Sequence, residues 1–309
     1  MNLRIAALTF RIQRFEWTVV VGATLLSVVV SALVAGWIRS AGFDKCLTDE
    51  AASNTLRCQT ALAPWLFRIA QMSMNLVPIF PVIAGLLVGG PIVARELETG
   101  TARLAWSLAP SRLRWFIQRA LPPLLMVTVA GLLIGMTADA LLHLTRPDLD
   151  IEKTFDGFRG RGLLVAVEAL LVASVALALG SILGRSVPTL VLSLVLIGGL
   201  TIAVDKVETQ LLTNEAESTT SYNFSGGDLY IASRIQNDDG RIITYEELFA
   251  LHPEFNENGY NPEQYPDVTL FIPGSRYHDV EGREALALTG IAGLFLLVAA
   301  ATVVRRRPR

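Results

Sequence analysis

Six long apolar runs, each bounded by charged or turn-forming residues, set the pattern of this chain; they lie at about 17–38, 72–94, 120–143, 162–184, 187–204 and 285–304. Each is close to the ~20 residues a helix needs to cross a hydrocarbon core, so the pattern predicts six membrane-spanning helices. The first run is too long for the apolar region of a secretory leader, and it carries no small-x-small cleavage site, so it reads as a span. Ahead of it, residues 3–15 predict an amphipathic helix. Arg4, Arg11 and Arg14 share one narrow face, while Leu3, Ile5, Leu8, Phe10, Ile12 and Phe15 cover most of the rest. Such a helix lies in the lipid interface plane, although the same arginines also suit simple charged flanking of a span.

Between the fifth and sixth runs the pattern changes. Residues 205–283 are rich in Asn, Asp, Glu, Gly and Tyr, enough for a small folded cap. Residues 229–235, the turn Asn237-Asp-Asp-Gly240 and residues 241–243 predict a hairpin. Thr244-x-x-Glu247 is a capping box opening a short helix to Leu251. Pro253, Pro262, Pro266 and Pro273 predict an irregular path onward. The expected fold is an all-α polytopic membrane protein with six spans, an N-terminal interfacial helix and a small α+β extracellular cap. Its expected divisions are 1–16 (interfacial helix), 17–205 (spans one to five, with a loop at 95–119), 206–284 (cap) and 285–309 (sixth span and basic tail).

Composition agrees: of 309 residues, 52% are hydrophobic and 17% charged, too apolar for an ordinary soluble domain. Charge supplies the orientation. With the N-terminus inside, Arg4, Arg11, Arg14, Arg95, Arg103, Arg112, Arg114, Arg119, Arg185 and the closing arginines all fall on the inner side, against Glu16, Glu96 and Glu98. That is the positive-inside bias, and it predicts a plasma-membrane protein with both termini cytoplasmic. Within the spans, Gly85-x-x-x-Gly89, Gly131-x-x-x-Gly135 and Gly180-x-x-x-Gly184 are small-residue pairs that let backbones approach. Pro78 and Pro81 predict a kink in span two, and Pro122 and Pro123 lie near the start of span three.

The sequence carries no catalytic signature. It has no Gly-x-x-x-x-Gly-Lys-Ser/Thr phosphate loop, no Gly-x-Ser-x-Gly elbow and no His-Glu-x-x-His, and its three histidines are scattered, so no metal site and no cofactor are expected in the chain itself. Cys46 and Cys58 share the first outside loop, where two nearby thiols on the oxidising side favour a disulfide closing a small loop, the alternative being a pair of free thiols. Asp139 and His143 stand one turn apart near the outer end of span three, and Glu168 lies in the outer part of span four. Ionisable groups at such depth line an aqueous pathway or are paired within the protein, and the sequence leaves both open.

The most informative segment runs from Arg95 to Trp115, a basic stretch between spans two and three. Gly100 ends a helix continuing span two, Thr101 can cap a short helix over residues 102–108, Pro110 breaks that helix, and Ser111 caps the next into span three. Trp106 and Trp115 are suited to headgroup depth. Glu98-x-Gly100-Thr101, the short helix and then Pro110-Ser-Arg112 resemble the cytoplasmic loop after the second span in permease subunits of type-2 ABC exporters, with the form Arg95-Glu-Leu-Glu-Thr-Gly-Thr-Ala-Arg-Leu-Ala-Trp106 most like actinobacterial members. The stretch Phe271-Ile-Pro-Gly-Ser-Arg-Tyr277 and the six-span plan are similar too. The large cap departs from simpler members, which have a short hairpin there. The resemblance implies an exporter permease that acts with a separate nucleotide-binding ATPase and a second permease subunit. ATP and Mg would be bound by the ATPase, and lipid is the other partner; nucleic acid is not expected. It places ATPase coupling on Glu98, Gly100, Thr101, Arg103, Trp106 and Arg112, where the alternative is a generic basic loop. Other readings of the whole are a membrane sensor or immunity protein whose cap binds a ligand, or a secondary transporter.

Overall fold

The structure, a computed structural model, describes residues 14–40, 72, 74–146, 149–220, 227–255, 260–261 and 264–306. Cys46, Cys58 and the stretch 3–13 of the expected interfacial helix lie outside these residues. Two compact units are present: residues 1–148, 157–200 and 281–309, and residues 149–156 with 201–280.

The first unit is a helical bundle. Its elements are α1 (Arg14–Ser40), α2 (Ile79–Gly89), α3 (Pro91–Glu98), α4 (Thr101–Leu108), α5 (Arg112–Thr145), α6 (Gly162–Leu183), the first half of α7 (Ser186–Glu215) and most of α9 (Tyr277–Arg305). Among the described residues, six helices are long and apolar enough to cross a membrane: Arg14–Trp37, Met74–Glu98, Arg112–Thr145, Gly162–Leu183, Ser186–Glu215 and Gly274–Arg305. Span two is interrupted twice. Residues 77–78 form a turn at Pro78, as the prolines predict. The second interruption, at Gly90-Pro91, was not anticipated. Gly90 keeps helical angles (φ −57°, ψ −53°), but Pro91 has no N–H to extend the ladder. In α5, by contrast, Pro122 and Pro123 sit inside a continuous 34-residue helix.

Span four, α6, is the most enclosed of the six; spans two and three pack against it, and span one packs mainly against span three. Glycines make this possible. A Cβ on Gly89 would land on the Ala173 carbonyl and one on Gly135 on the Gly162 carbonyl, while Gly85 and Gly131 face Val172 and Ala166 with no room for a methyl. The first two small-residue pairs are therefore helix contacts. The third divides: Gly180 faces the Gly90 carbonyl, whereas Gly184 (φ 65°) is the left-handed cap that ends α6. Around these contacts a core gathers Val20, Val88, Ile92, Val127, Leu177 and Val303 from spans one, two, three, four and six.

Among the described residues, the second unit holds an antiparallel four-stranded sheet ordered β1-β4-β2-β3, with β1 Glu217–Thr219, β2 Leu229–Gln236, β3 Ile242–Ile243 and β4 Asp267–Ile272, together with α8 (Tyr245–Leu251), the second half of α7 and the first turn of α9. The expected hairpin is present, with Gly240 at φ 75° and the Gly240 N–H donating to the Asn237 carbonyl. The capping box is complete. The Pro-rich stretch expected to be irregular instead contains β4, which pairs on both edges. Its Val268, Leu270 and Ile272 are buried in strict alternation, so burial of one face outweighs the flanking prolines. Tyr245 and Tyr260 both donate to Asp267 Oδ1, at 2.8 and 2.9 Å. Burial, then this hydrogen bond, holds the Tyr245 hydroxyl well above its usual range.

Candidate functional site

The turn between spans two and three is built by short-range chemistry. α3 ends where the Thr99 and Gly100 N–H groups donate back to the Arg95 and Leu97 carbonyls, and Gly100 adopts φ 75°, ψ 0°, open to a residue without Cβ. Thr101 is the first residue of α4 and not its cap. Its hydroxyl reaches back to the Glu96 carbonyl (3.4 Å) and lies 3.0 Å from that of Thr99, which itself donates to Arg95. Ser111 caps α5 as expected, its Oγ accepting from the Arg114 N–H at 3.2 Å.

α4 is two-sided. Ala102 is buried and Trp106 half-buried, packed with Trp115 against the bundle core in an edge-to-face pair at 5.9 Å. Both tryptophans turn inward, away from the headgroup anchoring their chemistry suggested. The Trp106 Nε1–H is buried and has no hydrogen-bond partner among the described residues. Leu104 and Leu108, one turn apart, are instead 67% and 78% exposed. Sequence reading passed over these two; their i, i+4 spacing opposite Trp106 was the available signal.

Charged side chains then tie this turn to the helix ends around it. Arg95 pairs with Glu16 of span one at 3.3 Å, and Arg119 of span three with Glu96 at 2.8 Å, the latter pair almost wholly buried. Glu98 Oε2 accepts from both the N–H (3.0 Å) and the Oγ–H (2.7 Å) of Ser186, the first residue of span five. Arg112 Nη1 donates to the Val304 and Arg306 carbonyls at the end of span six, with its guanidinium 4.9 Å from the centroid of the Trp106 ring. Arg306 in turn donates to the Ser181 carbonyl at the end of span four, at 2.6 Å. The contacts of Glu98, Arg112 and Arg306 follow helix polarity: a carboxylate at a helix start, guanidinium groups on the free carbonyls at helix ends. Of the residues assigned to coupling, Glu98, Gly100 and Thr101 are exposed, while Trp106 and Arg112 are half-buried and engaged internally. The Arg103 side chain lies outside the described residues.

At the other end of the bundle, Asp139 meets Arg161, not His143. The Asp139–Arg161 distance is 3.2 Å, and Arg161, just before span four, has a side chain only 2% exposed. His143 is exposed. Arg159 pairs with the buried Glu284 of span six at 3.1 Å. Glu168, half-buried on span four, forms no hydrogen bond among the described residues, and Arg159 is its electrostatic neighbour. The two guanidinium groups thus stand among Asp139, Glu168 and Glu284, and neither loop arginine was singled out from the sequence.

Residues 17–208 match a family model described as ABC-2 membrane transporter related. No curated protein and no solved structure matches the chain.

Proposed function

This chain belongs to the ABC-2 membrane transporter related family, and we propose that it is the permease subunit of an ATP-driven exporter. In this reading α4 docks on a separate nucleotide-binding ATPase, which supplies ATP and Mg binding. The observation that carries it is the pair of exposed leucines on α4. Two exposed leucines one turn apart outside the spans, rimmed by Thr101 and Ser107, form the kind of anchor that fills a groove on a partner. Gly100 and Thr101 frame that anchor, Trp106 and Arg112 hold it in place, and Glu98 links the preceding helix to span five.

ATP-driven closure of two ATPases would move two such turns and rock the spans between inward- and outward-facing states. The spans of two permease copies would enclose the pathway, and spans one, five and six, the least enclosed within one chain, are the ones free to meet a second copy or lipid. Asp139, His143 and Glu168 are the pathway candidates. Since Asp139 is committed to Arg161, Glu168 is the group best able to meet a cationic portion of a cargo. Both termini and α4 would face the cytoplasm, the sheet unit the exterior.

The test is copurification of the tagged chain from its native membrane, followed by an ATPase assay. The wild type is expected to bring down a nucleotide-binding subunit, and Leu104→Asp/Leu108→Asp to lose it at unchanged expression. A wild-type chain that arrives without an ATPase, or a double variant that keeps one, defeats the proposal.

A further inference from the structure

Glu98 joins two elements 88 residues apart, and its geometry suggests a task inside the permease. It is the last residue of α3, two before the left-handed Gly100. The turn linking it to α4 is stiffened by the Thr99 and Thr101 hydroxyl bonds. Displacement of α4 is therefore carried to Glu98 with little slack. The other side of the contact is the start of span five, where the Ser186 N–H is one of the donors that a helix beginning leaves unpaired. The carboxylate takes that donor and the serine hydroxyl together, the arrangement favoured by helix polarity.

Span five is otherwise loosely held where it lies in the bundle. It packs along one narrow stripe, where Thr189, Ser193 and Ile197 are buried and Thr189 and Leu190 touch span four and span two at Gly180 and Gly90, whereas Val187, Val191, Leu194 and Val195 are exposed. A helix with so little side-chain packing moves with whatever grips its end. Glu98 grips it.

We propose that Glu98 is a positioning residue that passes movement of α4 to span five through this cap, and that it does not contact the ATPase. The inference rests on the permease reading above, and deepens it by assigning the element that the turn drives first.

The experiment uses the full complex with its copurified ATPase in lipid nanodiscs, with hydrogen exchange read separately on residues 99–108 and 185–192, before and after trapping with ATP, Mg2+ and vanadate. In the wild type, trapping should change exchange in both segments. In Glu98→Ala the ATPase should still copurify and hydrolyse ATP, and 99–108 should still respond. The response of 185–192 should be lost, on a baseline exchange faster by roughly fivefold to tenfold, the size expected for a missing helix cap. Glu98→Gln keeps an acceptor oxygen and should restore the response. Ser186→Ala reads the same link from span five, and serves if Glu98→Ala does not assemble. A variant that loses the ATPase makes Glu98 a docking residue and overturns the inference. So does a nucleotide response of 185–192 that survives in Glu98→Ala or is absent from the wild type. Should the wild type itself bring down no ATPase, the permease reading fails first and this inference falls with it.

Discussion

Arg119 and Glu96 hold opposite charges 2.8 Å apart, with side chains only 8% and 15% exposed. Removing one member of such a pair strands the other in a poorly solvated place, at about 3–5 kcal/mol, whereas replacing both by apolar groups of similar volume is close to neutral. Arg119→Ala is therefore expected to lower the thermal unfolding midpoint of the purified protein sharply, and Arg119→Leu/Glu96→Leu to recover most of the loss. Equal losses in both would show that the pair contributes attraction and not merely mutual cover. Gly89 and Gly135 make a second residue-scale prediction. Each lies where a Cβ would strike a carbonyl of span four, so Gly89→Ala and Gly135→Ala should destabilise the bundle by about 1–3 kcal/mol, as overpacking does, while Gly22→Ala, with nothing near its Cβ, should not. Glycine spacing announced these contacts in the sequence. The ion pairs gave no such notice, because Arg119 and Glu96 come from different helices whose rotation no periodicity fixes.

Among elements, those with strong local signals were legible. The spans, the Asn-Asp-Asp-Gly hairpin and the Thr244 capping box each rest on residues close in sequence. β4 was obscured because its pairing partners are remote, and prolines on either side suggested a loop; only the alternation of Val268, Leu270 and Ile272 hinted otherwise. In the turn segment, the breaks at Gly100 and Pro110 were legible, but the inward face of α4 was not, since an eight-residue helix offers two turns of pattern. α8 yields a pH prediction. The Glu247 carboxylate accepts from the Thr244 N–H and hydroxyl, which holds it below its ordinary value of 4.5. A depressed folded value means that the cap's contribution is present above the unfolded value and lost as pH falls through the folded one. Exchange of the α8 amides, corrected for intrinsic rates, should thus rise below about pH 4.5, and Glu247→Gln should flatten that dependence. A profile with the same acid rise in Glu247→Gln would assign it to another group.

For the whole molecule the open quantity is orientation, and the network at the turn bears on how it is argued. Arg95 and Arg119 are paired with glutamates in the folded bundle, which would weaken a net-charge argument for placing that end inside. The positive-inside bias, however, counts Lys and Arg near short loops while segments insert, and acidic residues contribute little to it. Insertion precedes the packing that brings Arg119 to Glu96, so arginines later neutralised still count. In the proposed orientation the bias counts Arg95, Arg103, Arg112, Arg114 and Arg119 on the inner side, and Cys46 and Cys58 would then fall on the other, oxidising side. One membrane-impermeant maleimide examines both statements in intact cells. The expected disulfide predicts that Cys46 and Cys58 stay unlabelled from outside until a reductant is added. Ser107→Cys, exposed on α4, should label only after the membrane is permeabilised. Labelling of Ser107→Cys in intact cells would put α4 outside, out of reach of any cytoplasmic ATPase, and the exporter reading would fall. Labelling of the native cysteines without reductant would remove only the disulfide.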